Sequence, residues 1–288
     1  MDPILSGISL RDAGTALLDL AMPRRCIVCQ RPLTLRERFL CLPCMADFPF
    51  THHWDLSRNP MADKFNARIQ ENLDSSSSSG TDLPVLCSNQ PDADPAGEPF
   101  RRHEPYAFAA ALFFYNSSSD YRHIPWHLKY EGGLAAGRHF ARMLGERLAA
   151  SPQFADVDVV IPVPLHWTRQ WRRGYNQAEV IARELACALG AELRTDILRR
   201  SRRTRSQVRL PMAAKAANVH GAFTLARNLQ GTHAGCDIKA SCSAAHILLV
   251  DDTFTTGSTL NACRAVLRQT FPLPTRISVA TLAYVSPD

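Results

Sequence analysis

Lysine is scarce in this 288-residue chain: Lys64, Lys129, Lys215 and Lys239 stand alone, and every other basic residue except histidine is Arg. The formal charge of +6 therefore resides mostly in planar guanidinium groups, which can grip two phosphate oxygens at once. That balance suits phosphorylated ligands or nucleic acid, and it equally suits a solvated basic surface. No run of 18 apolar residues occurs, so no membrane span is expected. A clean apolar core of a signal peptide is also missing, because Asp2, Arg11, Asp12 and Asp19 interrupt the N-terminus. The spacing of Ile4, Leu5, Ile8, Leu17, Leu18 and Leu20 predicts a short amphipathic helix there instead. A cytoplasmic location follows as the expectation, and in that compartment the nine cysteines would not pair as structural disulfides. Repeats of solenoid length are absent, and no helix-turn-helix pattern is visible, which weakens a reading as a DNA-reading regulator.

What is present divides into three regions. Residues 1–56 hold four of the cysteines. Residues 57–104 carry "ENLDSSSSSGTDLP" and "NQPDADPAGEP", too polar to offset the entropy of ordering, and are expected to be a flexible Ser/Pro-rich insertion or linker. Residues 105–288 alternate apolar strand-like runs ("YAFAAALFFY", "DVDVVIPVP", "HILLV", "RISVATLAYV") with helical patterns ("LAAGRHFARMLGERLAA", "NQAEVIARELACALG", "STLNACRAVLRQ"). Such alternation predicts an α/β domain, a mostly parallel sheet with flanking helices.

Cys26-Ile-Val-Cys29 is followed after eleven residues by Cys41-Leu-Pro-Cys44. Two such knuckles can close a tetrahedral thiolate site for structural Zn²⁺, with no ligand position left for water. A redox pair is the rival reading, and it needs only one knuckle. His52 and His53 are near enough in sequence to replace a ligand but are expected at the surface. Cys187 and Cys263 fall on helical patterns and are expected to be small buried hydrophobes. Cys87, Cys236 and Cys242 have no partner spacing.

The stretch "HILLVDDTFTTGSTL" (residues 246–260) concentrates the chemistry. A strand is expected to end at Val250 and a helix to begin near Ser258 or Thr259. The loop between them would lie at the carboxyl end of a parallel strand, where open sheets bind ligands. Free N–H groups and the dipole at the helix start favour an anion. Thr255, Thr256, Ser258 and Thr259 add hydroxyl donors, and Gly257 lets the backbone approach, so a terminal phosphate fits. Asp251 and Asp252 would repel phosphate; they suit the vicinal hydroxyls of a ribose, or a divalent cation bridged to them. A capped helix after an Asp-Asp turn explains one hydroxyl but not the rest.

These residues resemble the signature of type I phosphoribosyltransferases: apolar residues, two acids, then Thr-Gly-x-Thr. Further segments are similar to the ComF family (competence protein F and its GntX relatives): "DVVIPVPLHWTRQWRRGYNQAEVIARELA", "LRRSRRTRSQVRLPMAAKAANVHGAF", "HLKYEGG" and the N-terminal knuckles. Departures are Lys215, where the family tends to carry Arg, and residues 57–104, where Cys87 stands without a second Cys-x-x-Cys. The resemblance implies a type I phosphoribosyltransferase-like sheet preceded by a small N-terminal zinc ribbon. It implies phosphoribosyl pyrophosphate (PRPP) or ribose 5-phosphate as ligand, with Mg²⁺, and the loop Thr255–Thr259 on the 5-phosphate. In such a site Asp251 and Asp252 serve the ribose and metal.

The turn at Val163, Pro164 and Leu165 is then the pyrophosphate loop, with its backbone groups toward the ligand. Between Trp167 and Arg209 there are eleven Arg against four acids. A mobile loop around Arg203, Thr204 and Gln207 is expected to close over the reactants. Arg173, Gly174, Tyr175, Asn176 and Gln177 are candidates for the acceptor side, with Asn176 also a fitting helix N-cap. Lys129 could reach a phosphate or be a surface lysine. Two functions follow from the resemblance. One is an enzyme, a PRPP-dependent glycosyltransferase of pentosyl groups with an unidentified acceptor, linked to competence and DNA uptake. The other is a binding protein that grips single-stranded DNA through Arg and the aromatics Trp126, Trp167, Trp171 and Tyr175, with PRPP as a regulatory ligand and the DNA-uptake machinery as partner.

Overall fold

The computed structural model describes residues 23–77, 104–130, 133–201, 221–226 and 245–285. The expected N-terminal helix, the mobile loop with Arg203, Thr204 and Gln207, and Cys87, Cys236 and Cys242 lie outside the described residues.

Five parallel strands form the main sheet: β1 (Ala109–Tyr115), β2 (Val159–Pro162), β3 (Glu192–Leu193), β6 (His246–Phe254) and β7 (Arg276–Val285). Their spatial order is β1-β7-β6-β2-β3. A short antiparallel pair, β4 (Leu198–Arg200) with β5 (Phe223–Leu225), stands apart from it. The strands read as unbroken apolar runs because both faces are covered. Alternate residues go to opposite cores, as the two-residue period of a strand demands. Ala110, Leu112, Val160, Leu248, Val250, Ala280 and Leu282 face one side. Ala109, Ala111, Val159, Ile161, Ile247, Leu249 and Val279 face the other.

The first face is covered by helices α4 (Leu134–Ala149) and α6 (Gln177–Leu189). Asn176 caps α6, accepting from the Ala178 N–H, and Gly190 ends it in the left-handed conformation that glycine tolerates. The cysteine segment joins the same core rather than standing as a separate unit. It carries the five-residue helix α1 (Leu42–Ala46). Phe48 meets Phe113 and Phe140 at 5.3 and 6.1 Å. The Thr51 and Phe114 amides bond across to Leu112 and Pro49 at 3.2 and 3.1 Å, which covers the open edge of β1.

The second face is covered by α7 (Ser258–Leu267), by the β4–β5 pair and by α2 (Pro60–Ser77). Helix α2 lies inside the segment whose composition suggests a linker. Met61, Ala62, Phe65 and Ile69 recur at helical spacing and are fully buried. Asn59 helps start the helix by accepting from the Ala62 N–H at 2.9 Å. Averaging composition over residues 57–104 hides this stripe, because the polar run begins only near Asp74 and the remainder to residue 103 lies outside the described residues. Two short helices complete the cleft side, α3 (His123–Tyr130) and α5 (Trp167–Arg173).

Candidate functional site at the carboxyl ends of the strands

Strand β6 does not stop at Val250. It continues to Phe254 and pairs with β7 through Asp251↔Thr281, Thr253↔Ala283 and Phe254↔Tyr284. The two aspartates are thus held on a strand inside the sheet, not on a loose turn. Asp251 accepts the Asp252 N–H at 2.8 Å. Burial, then the charge of Asp252, pushes the Asp251 carboxyl up to about 7. Lys129, at the end of α3, places Nζ 3.1 Å from Oδ2 of Asp252. Burial would lower the Lys129 pKa, but the attraction of Asp252 and Asp251 outweighs it and the net shift is upward. Lys129 is therefore a partner of the acids, not a surface lysine.

Beyond Phe254 the chain turns at Gly257 with φ of +72°. A Cβ there would lie 2.9 Å from the Phe254 ring, so glycine is required twice over, by conformation and by space. Gly257 is also the N-cap of α7 and offers no capping side chain. The Ser258 N–H already reaches the Thr256 hydroxyl at 3.4 Å, so the Thr259 and Leu260 amides are the first-turn donors an anion would use. The Thr256 and Ser258 hydroxyls lie 2.8 Å apart beside them.

A residue that sequence reasoning passed over holds this turn from behind. Lys64 of α2 donates from Nζ to the Thr255 carbonyl at 2.7 Å. One turn further along α2, the Arg68 carbonyl accepts from Asn261 of α7 at 3.1 Å. The signal was present in the spacing of Met61, Phe65 and Ile69, which marks a packed helix in that segment.

The opposite wall comes from β2 and α5. Val163, Pro164 and Leu165 line the cleft, but their backbone is less available than expected. The Val163 N–H donates to the Val250 carbonyl at 2.8 Å. Its carbonyl accepts from the Asn176 amide at 3.0 Å, and Pro164 has no N–H. Leu165 alone of the three has an amide to offer a ligand. Arg169 and Arg173 of α5 and Arg200 of β4 add a basic wall, of which Arg169 and Arg200 were not singled out as site residues. Arg173 bonds Gln177 at 3.0 Å and lies over the Tyr130 ring at 5.4 Å. Burial, then repulsion from Arg200, Arg173 and Arg172, lowers the pKa of Arg169.

All these groups line one cleft of about 370 Å³: Lys129, Val163–Leu165, Arg173, Asn176, Gln177, the aspartate pair and the whole turn from Thr255 to Thr259. Gly174 and Tyr175 do not line it. Gly174 ends α5 at φ +80°, and the Tyr175 hydroxyl turns inward to the Leu128 carbonyl at 2.6 Å. Tyr175 is accordingly no part of an exposed aromatic surface, unlike Trp126, Trp167 and Trp171.

The cysteine cluster forms a second centre. The Sγ atoms of Cys26, Cys29, Cys41 and Cys44 all lie within 4.8 Å of one another. A tetrahedral zinc with bonds near 2.3 Å would space them about 3.8 Å apart, so the four thiols fit a metal ion. Its fit to a zinc ribbon accords with the expected site. His53 is buried rather than exposed, with its ring 5.6 Å from that of Tyr284, and burial lowers its pKa to about 4. His52 pairs with Asp55 at 3.3 Å. Neither joins the cluster. Cys263 is buried as expected, whereas Cys187 is exposed.

A third polar constellation imitates a catalytic triad. His246 meets Asp156 at 2.7 Å through Nδ1 and Ser278 at 2.7 Å through Nε2. Ser278 is fully buried, and its Oγ also accepts from the Phe108 N–H at 3.1 Å. It lies at the amino ends of the strands, away from the cleft, so no substrate reaches it.

No family model matches the chain. It is 37% identical to the Competence protein F of Haemophilus influenzae over 112 residues, which is 39% of this chain and 44% of that protein. It is 34% identical over 103 residues to the DNA utilization protein YhgH of Salmonella typhi, covering 36% and 40%. The Escherichia coli K12 protein of that name is 32% identical over the same length. These relatives support assignment to the ComF family. The matches span less than half the length of the curated relatives. Among the described residues, no helix is long and apolar enough to cross a membrane.

Proposed function

We propose that this ComF-family protein binds a phosphorylated pentose, PRPP or ribose 5-phosphate, and transfers the phosphoribosyl group of PRPP to an acceptor, with pyrophosphate as the leaving group, in a process linked to DNA uptake. One observation carries the proposal: acid pair, hydroxyl turn and uncapped helix start line a single cleft. The turn Thr255–Thr259 and the α7 amides take the 5-phosphate. Asp251 and Asp252 accept hydrogen bonds from the two ring hydroxyls. The leaving pyrophosphate falls toward the Leu165 amide and the Arg169, Arg173 and Arg200 wall, which neutralises it. Cleavage of the anomeric bond leaves positive charge on the sugar, and the nearby carboxylates stabilise that charge. As the acid pair already holds Lys129, its geometry does not fit a bound Mg²⁺. Zn²⁺ in the four-cysteine site is structural and holds the segment that covers β1. The names of the relatives, competence and DNA utilization, support the setting.

Pyrophosphate release from PRPP with candidate acceptors tests transfer. Turnover should vanish in the Asp251→Asn, Asp252→Asn double variant; unchanged turnover there would refute the assignment. A second reading, single-strand DNA binding with PRPP as effector, is favoured by the exposed rings of Trp126, Trp167 and Trp171 on α3 and α5 beside the cleft. Its measure is affinity against salt. A steep fall supports it and a flat response excludes it.

A further inference from the structure

We infer that Lys129 is a built-in counter-cation of the aspartate pair, standing where a divalent ion would have to sit, so that the pair binds no divalent metal of its own. The ammonium lies 3.1 Å from Oδ2 of Asp252. A magnesium or manganese ion bound to that oxygen needs an octahedral shell at about 2.1 Å, most of it water, and an ammonium so close both blocks and repels it. The pair is not an exposed one that solvent would loosen: the side chains of Lys129 and Asp252 are only 28% and 16% exposed. Charge disfavours a divalent ion as well. Arg200 acts on Asp251 from the other wall of the cleft, where Arg169 and Arg173 also stand, so the two acids share the cleft with four cations. No surplus negative charge remains to recruit a divalent ion. The carboxylates nevertheless keep free lone pairs, and neutral hydroxyl groups can use them without displacing Lys129. Only this last point rests on the pentose reading; exclusion of the cation does not.

The experiment is a titration of Mn²⁺ into zinc-loaded full-length protein without any phosphate compound, followed by the resonance signal of free Mn²⁺. Wild type and Lys129→Arg should show no Mn²⁺ binding that Asp252→Asn removes. Lys129→Met and Lys129→Gln should each gain such a site, tighter by at least about tenfold, because Asp252 loses the cation that occupies its Oδ2. Wild-type protein that binds Mn²⁺ through Asp252 overturns the inference by itself, whatever the variants do. So does a failure of both neutral variants to gain binding when their melting curves show them folded. Because no sugar phosphate is present, either outcome is separate from failure of the pentose reading.

Discussion

The two ends of strand β6 solve the same problem in opposite ways. At its start, His246 is almost sealed from solvent yet has a partner for each ring nitrogen, Asp156 and Ser278. At its end, Asp251 and Asp252 lie side by side, and burial with mutual repulsion pushes Asp251 up to about 7. The first arrangement is what a fold needs: polar groups inside, each satisfied. The second is held against its own electrostatics and opens on a cleft, which is where function is paid for in stability. A triad by distance alone would point to the sealed end. Access and residual electrostatic stress separate the two.

The largest contrast comes from exchanging charge at each end. Asp251→Asn with Asp252→Asn should weaken ribose 5-phosphate binding by about 100-fold or more, since two charge-assisted hydrogen bonds to hydroxyls are lost. His246→Ala should leave that affinity within about twofold and instead lower stability by about 2–4 kcal/mol, through a cavity and the lost bond to the buried Ser278 hydroxyl. Calorimetric titration and urea unfolding of both variants decide it. A loss of affinity in His246→Ala with full stability would reverse the assignment of the two ends.

A smaller effect has a sign that differs between the ends. Asp251 has a folded pKa raised from 3.8 to about 7. Between these values the native state holds a proton that the unfolded chain has released, so stability falls as pH rises through that window. Asp251→Asn should therefore be more stable than wild type by about 1–2 kcal/mol at pH 8, with the gain shrinking toward pH 4. Burial lowers the folded pKa of His246 below 6.5, despite the opposing pull of Asp156. Its contribution runs the other way, with stability lost as pH falls below 6.5. Melting temperatures of wild type, Asp251→Asn and His246→Ala across pH 4–8 should give difference slopes of opposite sign.

The smallest expected effect concerns the brace behind the hydroxyl turn. Lys64→Met keeps the packed stem and removes the bond to Thr255, so phosphate-end affinity should drop by about three- to tenfold with little change in melting temperature. Lys64→Arg should restore part of it. Hydrogen exchange at residues 255–259 gives an independent readout: faster exchange in Lys64→Met is the expected result.

Much of the architecture was legible because it is local. Unbroken apolar runs, the Asn176 cap, the Gly190 end and the turn at Gly257 are written in neighbouring residues, and so is the four-cysteine spacing. Relations made only through space were not. Lys64 reaches Thr255 across 191 positions of sequence, and Lys129 meets Asp252 across the mouth of the sheet. Val163 looked like an open amide until pairing with Val250 occupied it. Tyr175 looked like a stacking platform until its hydroxyl found Leu128. Extension of β6 to Phe254 depended on β7 being its neighbour, which no property of residues 246–260 announces.

The central claim is that one cleft holds a pentose by its hydroxyls at the acid pair and by its phosphate at the hydroxyl turn. Isothermal calorimetry on zinc-loaded protein with ribose 5-phosphate, and separately with ribose and with inorganic phosphate, tests it most directly. The account predicts that ribose 5-phosphate binds at least about tenfold tighter than either fragment, because its two halves are linked, and that the double aspartate variant loses this advantage. Absence of heat with ribose 5-phosphate, or equal binding by wild type and the double variant, would contradict it.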